Sequence, residues 1–272
     1  MMARQINAVA DPLFGTHKTD IQGIWDQMQR LQTDFTIAQE LSFYYTSTRW
    51  HEARTVLDIG TGNGYYLNRI VDRFPNKHYT GIDSSAELID IANRTACRSN
   101  VSFQEGCLFD HNGAYDFVLM RLLLQHLDDI PAALDHIAHL TRPGGTALII
   151  DANDSVRFFY PKLPQFTEFF AAYTEHERRA GRDRRVADRI TDAISTSTAW
   201  SHGDTLSLLI PSTIDRNLEL FTQTYTLLVD LVSAAGELEY DFESVKSAWR
   251  RWSALPNAYT QVGLNLIRID RA

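Results

Sequence analysis

The chain has 272 residues, 44% of them hydrophobic and 22% charged, with a formal net charge of -8. That length and ordinary globular usage suit one large α/β domain, or one domain plus a cap, better than two independent domains. The acidic balance argues against a nucleic-acid partner, whose phosphates would call for a basic surface. In chain order, the N-terminus Met1-Met2-Ala3-Arg4-Gln5-Ile6-Asn7 lacks the apolar core of a signal peptide. No apolar run approaches the roughly 20 residues that cross a bilayer; 117–124 comes nearest, and Arg121 interrupts it. The two cysteines, Cys97 and Cys107, have neither metal-ligand nor disulfide-framework spacing and read as reduced thiols. A cytoplasmic location without membrane contact is expected.

Residues 1–52 read as an N-terminal helical lid, with Ile37, Leu41, Tyr44 and Tyr45 at helical spacing. From Arg54 the pattern turns regular. Thr55-Val56-Leu57-Asp58-Ile59 is a short β-branched strand that ends in glycines, and Leu67, Ile70, Val71 and Phe74 mark a helix stopped by Pro75. Tyr79-Thr80-Gly81-Ile82-Asp83 is a second strand, followed by a helix through Leu88, Ile91 and Ala92. Val101-Ser102-Phe103 is a third strand, and Tyr115-Asp116-Phe117-Val118-Leu119-Met120 a fourth, apolar enough to be covered on both faces. Asp128 or Asp129 can cap a helix with Pro131 in its first turn. Arg142-Pro143-Gly144-Gly145 ends that helix and feeds a fifth strand, Thr146-Ala147-Leu148-Ile149-Ile150. Strands alternating with such connections predict right-handed βαβ units in a parallel sheet, over a core of 53–152. The rhythm is then lost: 153–200 reads as a helical cap insertion, and 201–272 as the completion of the sheet, with strand-like runs at 206–210 and 261–269.

The segment Val56-Leu57-Asp58-Ile59-Gly60-Thr61-Gly62-Asn63-Gly64 brings bare backbone against a ligand at a strand's carboxyl end. A dinucleotide fold would place a third glycine where Tyr65 stands, which weighs against a dehydrogenase. Asp83, ending the second strand, can accept hydrogen bonds from both hydroxyls of a ribose; the alternative is a carboxylate capping the next helix. Together with Asp116 and the turn Pro143-Gly144-Gly145, these features resemble the class I S-adenosylmethionine-dependent methyltransferases. Arg121-Leu122-Leu123-Leu124-Gln125-His126-Leu127 and Leu140-Thr141-Arg142-Pro143-Gly144-Gly145 resemble the ubiquinone and small-molecule branch. The resemblance covers residues 50–151.

It implies a doubly wound, mostly parallel seven-stranded sheet and S-adenosylmethionine as cofactor. Gly60, Thr61 and Gly62 would pass under the methionine part, Asp58 would reach its amino group, and Asp83 and Ser84 would hold the ribose. Arg121 would contact the methionine moiety. Many relatives carry Gly-Asp-Ala after the third strand, whereas here Gly106-Cys107-Leu108 puts Cys107 at the adenine position, leaving Leu108 backbone groups or Asp110. His126 is the candidate general base, against a reading as a packed helix-end histidine. His136, His139 and Asp135 have helical ligand spacing, but no metal is expected there. Trp25, Tyr44, Phe158 and Tyr160 are expected to close over the methyl group, as a pocket for a small planar or aromatic acceptor. On that reading, deleting 1–30 would abolish transfer yet spare much of the cofactor affinity. The charged run 178–189 reads as a solvated helix face, with an anionic substrate as the lesser reading. A methyltransferase acting on protein or nucleic acid, and a cofactor-binding scaffold without turnover, are the alternatives; a homodimer is left open.

Overall fold

The computed structural model describes residues 18–272 except Cys97 and Asp215, with backbone alone for 18–20. α1 (Lys18–Thr46) buries Met28, Leu31 and Phe35 along one stripe and Ile37, Glu40 and Tyr44 along another, so two faces of it are covered. Ser47 caps α2 (Thr48–Glu52) by accepting from Trp50 N at 3.2 Å, which seats the Trp50 indole in the core. β1 (Thr55–Ile59), α3 (Tyr65–Arg73), β2 (His78–Asp83), α4 (Ala86–Thr95), β3 (Val101–Glu105) and β4 (Tyr115–Arg121) follow. α5 (Ile130–Leu140) is capped by Asp129, which accepts from Ala132 N at 2.9 Å, and runs into β5 (Thr141–Ala152).

β1 to β5 are parallel, and the sheet runs β3-β2-β1-β4-β5. Their apolar residues alternate between two cores. Phe117 and Leu119 face one layer, Val118 and Met120 the other, as the period of a pleated strand dictates. Asp116 pins the far ends of β1 and β4 together. It accepts from Arg54 N and Thr55 N, both at 2.9 Å, and pairs with Arg142; these bonds outweigh its burial and hold its carboxyl down at about 2.

After β5 come β6 (Phe158–Tyr160), α6 (Pro164–Arg179), α7 (Val186–Thr196), β7 (Trp200–Pro211), α8 (Asn217–Ala235), α9 (Phe242–Ser253) and β8 (Tyr259–Arg271). β8 lies antiparallel beside β5, and β6 and β7 pair antiparallel with it, giving eight strands among the described residues where the resemblance implies seven. The extra strand is β6, three residues that extend the sheet past the end of β5.

Nor is 153–200 one cap. Phe166, Phe169 and Tyr173 of α6 join the layer built on α1, α8 and α9, whereas Val186, Ile190 and Ile194 of α7 join α5 on the opposite face. Among the described residues, no helix is long and apolar enough to cross a membrane.

Candidate active site

The strand order reverses between β1 and β4, so a crevice opens beyond their carboxyl ends. Gly60, Gly62 and Gly64 have φ of 72°, 57° and 70°, a left-handed backbone that glycine adopts without strain. Gly60 N and Thr61 N donate to Ile82 O at 2.8 and 2.9 Å, which ties the loop to β2. A Cβ on Gly64 would meet Ala92 and Phe103 at 2.8 Å, so this third glycine allows close packing of α3 on its neighbours.

Asp83 sits at the end of β2. Its Oδ2 accepts from Gly62 N at 2.8 Å and its Oδ1 from Ser85 N at 2.9 Å, while burial raises its pKa against those bonds. Asp58 is buried and accepts from Thr61 Oγ1 at 2.7 Å. Desolvation pushes it up to about 7, with Thr61 and Arg121 opposing and Asp83 adding. Arg121, the last residue of β4, donates through Nη2 to Glu40 at 3.1 Å and to Thr36 Oγ1 at 2.9 Å, and lies 4.4 Å from the Tyr66 ring centroid. Next to it Leu122 is held at φ 55°, its N–H donating to Ile150 O at 2.7 Å. A branched residue in that region stores strain, and here it lies at the mouth of the crevice.

α1 crosses the loop. Gln29 Oε1 accepts from Asn63 N at 2.9 Å, and Asn63 Nδ2 donates to Asp26 Oδ1 at 2.7 Å. The crevice so closed is a cavity of about 760 Å³. Asp58, Gly60, Thr61, Asp83 and Ser84 form its floor. Gly106, Cys107 and Leu108 form one side, where a Cβ on Gly106 would meet nothing nearer than 4.0 Å. Trp25, Met28, Gln29 and Gln32 of α1 roof it. At the far end stand His126, Arg157, Phe170, Tyr173, Arg184 and Tyr225.

The structure thus gathers Trp25, Asp58, Gly60, Thr61, Asp83, Ser84, Cys107, Leu108, Arg121 and His126 around one space. Gly62 is turned beneath α1, and a Cβ there would run into Gln29 rather than into the cavity. Asp110 is exposed and points away from the cavity, which leaves Cys107 and Leu108 on that side. Tyr44 is 0% exposed and packs on Trp50, its hydroxyl 3.0 Å from that of Tyr66, so it belongs to the core and not to the cavity wall.

Phe158 and Tyr160 are 46% and 60% exposed and also lie off this cavity. Strand alternation is the reason: Phe159 turns into the core against Trp249 and Trp252, so its two neighbours must turn out. Their place at the far end is taken by Phe170 and Tyr173 of α6, within the expected cap insertion, and by Tyr225 of α8. Arg184 comes from the charged run; Arg157 carried no sequence signal at all. Cys97 and residues 1–17 of the expected lid lie outside the described residues.

His126 ends a 3-10 turn (Leu124–His126) and is pushed down to about 4 by burial, then by Arg184 and Arg182 against Glu177. It is a neutral imidazole at physiological pH and a weak proton acceptor.

The arrangement has counterparts. Residues 27–200 match the model of a methyltransferase domain. A trans-aconitate 2-methyltransferase of Deinococcus radiodurans is 32% identical over 129 residues, 43% of this chain and 50% of that one. A ubiquinone biosynthesis O-methyltransferase of Xylella fastidiosa is 28% identical over 110 residues, 38% of this chain and 44% of that one. The chain thus spans about half the length of these curated relatives. The structure of a coclaurine N-methyltransferase bound to N-methylheliamine and SAH shares the fold at 15% identity and a TM-score of 0.51, covering 86% of this chain and 72% of that one. With the domain match extending over more than half its residues, the chain belongs to the methyltransferase-domain family, among the class I S-adenosylmethionine-dependent methyltransferases.

Proposed function

We propose that this chain transfers a methyl group from S-adenosylmethionine to a small acceptor with a planar or aromatic body. The observation that carries the reading is the single cavity running from the glycine loop and Asp83 to an aromatic end wall under the roof of α1. The residues present fit the cofactor. Asp83 keeps lone pairs for ribose hydroxyls beyond its two backbone bonds, and Asp58 offers a buried carboxylate to an ammonium. Gly60 and Thr61 give the loop its close backbone, and Gly106 leaves open space beside Cys107 and Leu108. When bound, the cofactor supplies a methyl group already activated on a sulfonium.

The chain's own work is to hold, align and keep dry. Alignment alone can contribute several kcal/mol to lowering a bimolecular barrier, and the α1 roof excludes water from the place of reaction. His126, held neutral, accepts a hydrogen bond and orients an acceptor hydroxyl; it is too weak a base to strip a proton from an alcohol. A base is needed only for an acceptor that must lose a proton. A net charge of -8 supports a small molecule over nucleic acid, and the same composition suits the cytoplasm.

The test is calorimetric titration with S-adenosylhomocysteine and with NADH, followed by labelled S-adenosylmethionine against a panel of phenols, amines and acids. Binding of the first ligand and transfer to a panel member are expected. Binding of NADH alone would overturn the reading.

A further inference from the structure

The end wall facing away from the glycine loop contains two guanidinium groups and one carboxylate. Arg157 Nη2 donates to Asp154 Oδ1 at 2.5 Å, and Arg184 Nε donates to Asp154 Oδ2 at 2.6 Å. Arg184 Nη1 reaches Gln125 Oε1 at 2.7 Å. Both cations lie against Phe170, at 3.9 and 5.6 Å from its ring centroid, and Arg157 also lies 5.3 Å from that of Tyr225. Asp154 and Asp151 face the two guanidiniums, so the wall is close to neutral when Asp151 is ionised and carries one positive charge once Asp151 is protonated. Asp151, buried behind it, has its carboxyl pushed up to about 6 by desolvation, toward the neutral form that a nearby anion would favour.

Two buried polar atoms in the same wall have no hydrogen-bond partner among the described residues: Arg157 Nε and Thr224 Oγ1. Thr224 is 5% exposed and lies in the middle of α8. A helical threonine in that position ordinarily donates back to a carbonyl one turn earlier. Its neighbours do so, Thr222 to Leu218 O and Thr226 to Thr222 O, both at 2.7 Å. Thr224 makes no such bond, and the residue lines the cavity. Buried donors without acceptors are costly, and they are kept where a ligand completes them.

We propose that Arg157 and Thr224 form a subsite for a carboxylate, so that the methyl acceptor is an acid. This rests on the methyltransferase reading above. Protonation of Asp151 as an anion enters would keep the charge of the wall balanced, and Arg157 and Thr224 each offer a donor to the oxygens of a carboxylate. Phe170 and Tyr225 supply flat apolar surface for the body of the acid.

The experiment uses full-length protein loaded with S-adenosylhomocysteine. Benzoate and trans-cinnamate are titrated against benzamide and trans-cinnamamide, with binding read by calorimetry and by the shift in melting temperature. The acids should bind tighter than their amides by about tenfold or more, the factor a charge-assisted hydrogen bond carries. Arg157→Gln should erase that preference, and Arg157→Lys, which keeps the charge, should retain part of it. Thr224→Val should weaken the acids severalfold. S-adenosylhomocysteine affinity should be unchanged in all three variants, which also reports that they are folded. Equal binding of acid and amide, binding of neither, or an intact preference in Arg157→Gln would overturn the subsite. A wild-type protein that fails to bind S-adenosylhomocysteine would instead overturn the methyltransferase reading.

Discussion

Asp58 and Asp83 stand on adjacent strand ends and differ in what surrounds them. Asp83 holds two backbone N–H groups, whereas Asp58 is buried with one hydroxyl. Replacing Asp83 with Ala should lower S-adenosylhomocysteine affinity by about tenfold or more, since charge-assisted bonds worth roughly 1.5–3 kcal/mol each are lost. Calorimetry checks this, and unchanged affinity would refute the ribose assignment. For Asp58 the sign follows from linkage. Its carboxyl titrates at about 7 in the folded chain against 3.8 when unfolded, so the unfolded state loses its proton first. Through this group, ligand-free stability falls as pH rises from 3.8 to about 7 and is flat above that. Denaturant titrations of wild type and Asp58→Asn across that range should diverge steadily with pH. S-adenosylhomocysteine, whose ammonium would favour the carboxylate, should release protons on binding below pH 7, a release seen by calorimetry in buffers of different ionisation enthalpy. At this scale the sequence was informative where chemistry and backbone coincide: a carboxylate ending a strand beside glycines can be read directly. Arg157 and Thr224 could not be read, because a lone arginine and a mid-helix threonine acquire meaning only from what they fail to contact.

Among the elements, α1 departs most from expectation. The sequence reads it as a lid; several of its residues line the cavity, and it is also structural. Glu40 is fully buried against Arg121, and Phe35 meets Phe221 of α8 edge-on at 4.7 Å. Glu40→Ala would leave an uncompensated guanidinium and should cost about 3–5 kcal/mol. Pairing Glu40→Leu with Arg121→Met should recover much of that stability; a loss of S-adenosylhomocysteine affinity that persists in the double variant would assign Arg121 a contact to the methionine moiety besides its bracing role. Deleting 1–30 removes Trp25 and Gln29 and leaves Asn63 N without its acceptor. Cofactor affinity and transfer should therefore fall together, contrary to the sequence-based expectation that affinity is spared. The aromatic stretch after β5 shows where periodicity ran out. Phe158 and Tyr160 are both expected in the pocket, and only the pairing of their strand with β8 decides which ring faces inward. A three-residue strand has too few alternations to announce itself.

At the scale of the whole molecule, the alternation of strands and helices from Arg54 to Ala152 predicted the parallel half of the sheet, because each βαβ unit is set by local pattern. The remainder depends on non-local pairing. β8 threads between β5 and β7, and the segment 153–200 crosses from one face of the sheet to the other, which no window of sequence displays. If α1 is as integral as its packing implies, amides of Leu31, Phe35 and Leu41 should exchange with solvent by the same opening as those of β4. Exchange by a faster local opening would show a hinged roof.

The packing of α1 on α8 also bears on how the protein is made. The helix leaves the ribosome early, while its partners Phe221 and Leu231 come late in the chain. Until they emerge, Met28, Leu31 and Phe35 have no surface to cover them, and an apolar stripe waits in solvent while the intervening strands are made. The glycine loop likewise stays without Gln29 seated on it until the helix docks. The growing chain is thus a natural client for a holding chaperone, and ligand competence should arise abruptly, once α8 has emerged, rather than with completion of the parallel strands.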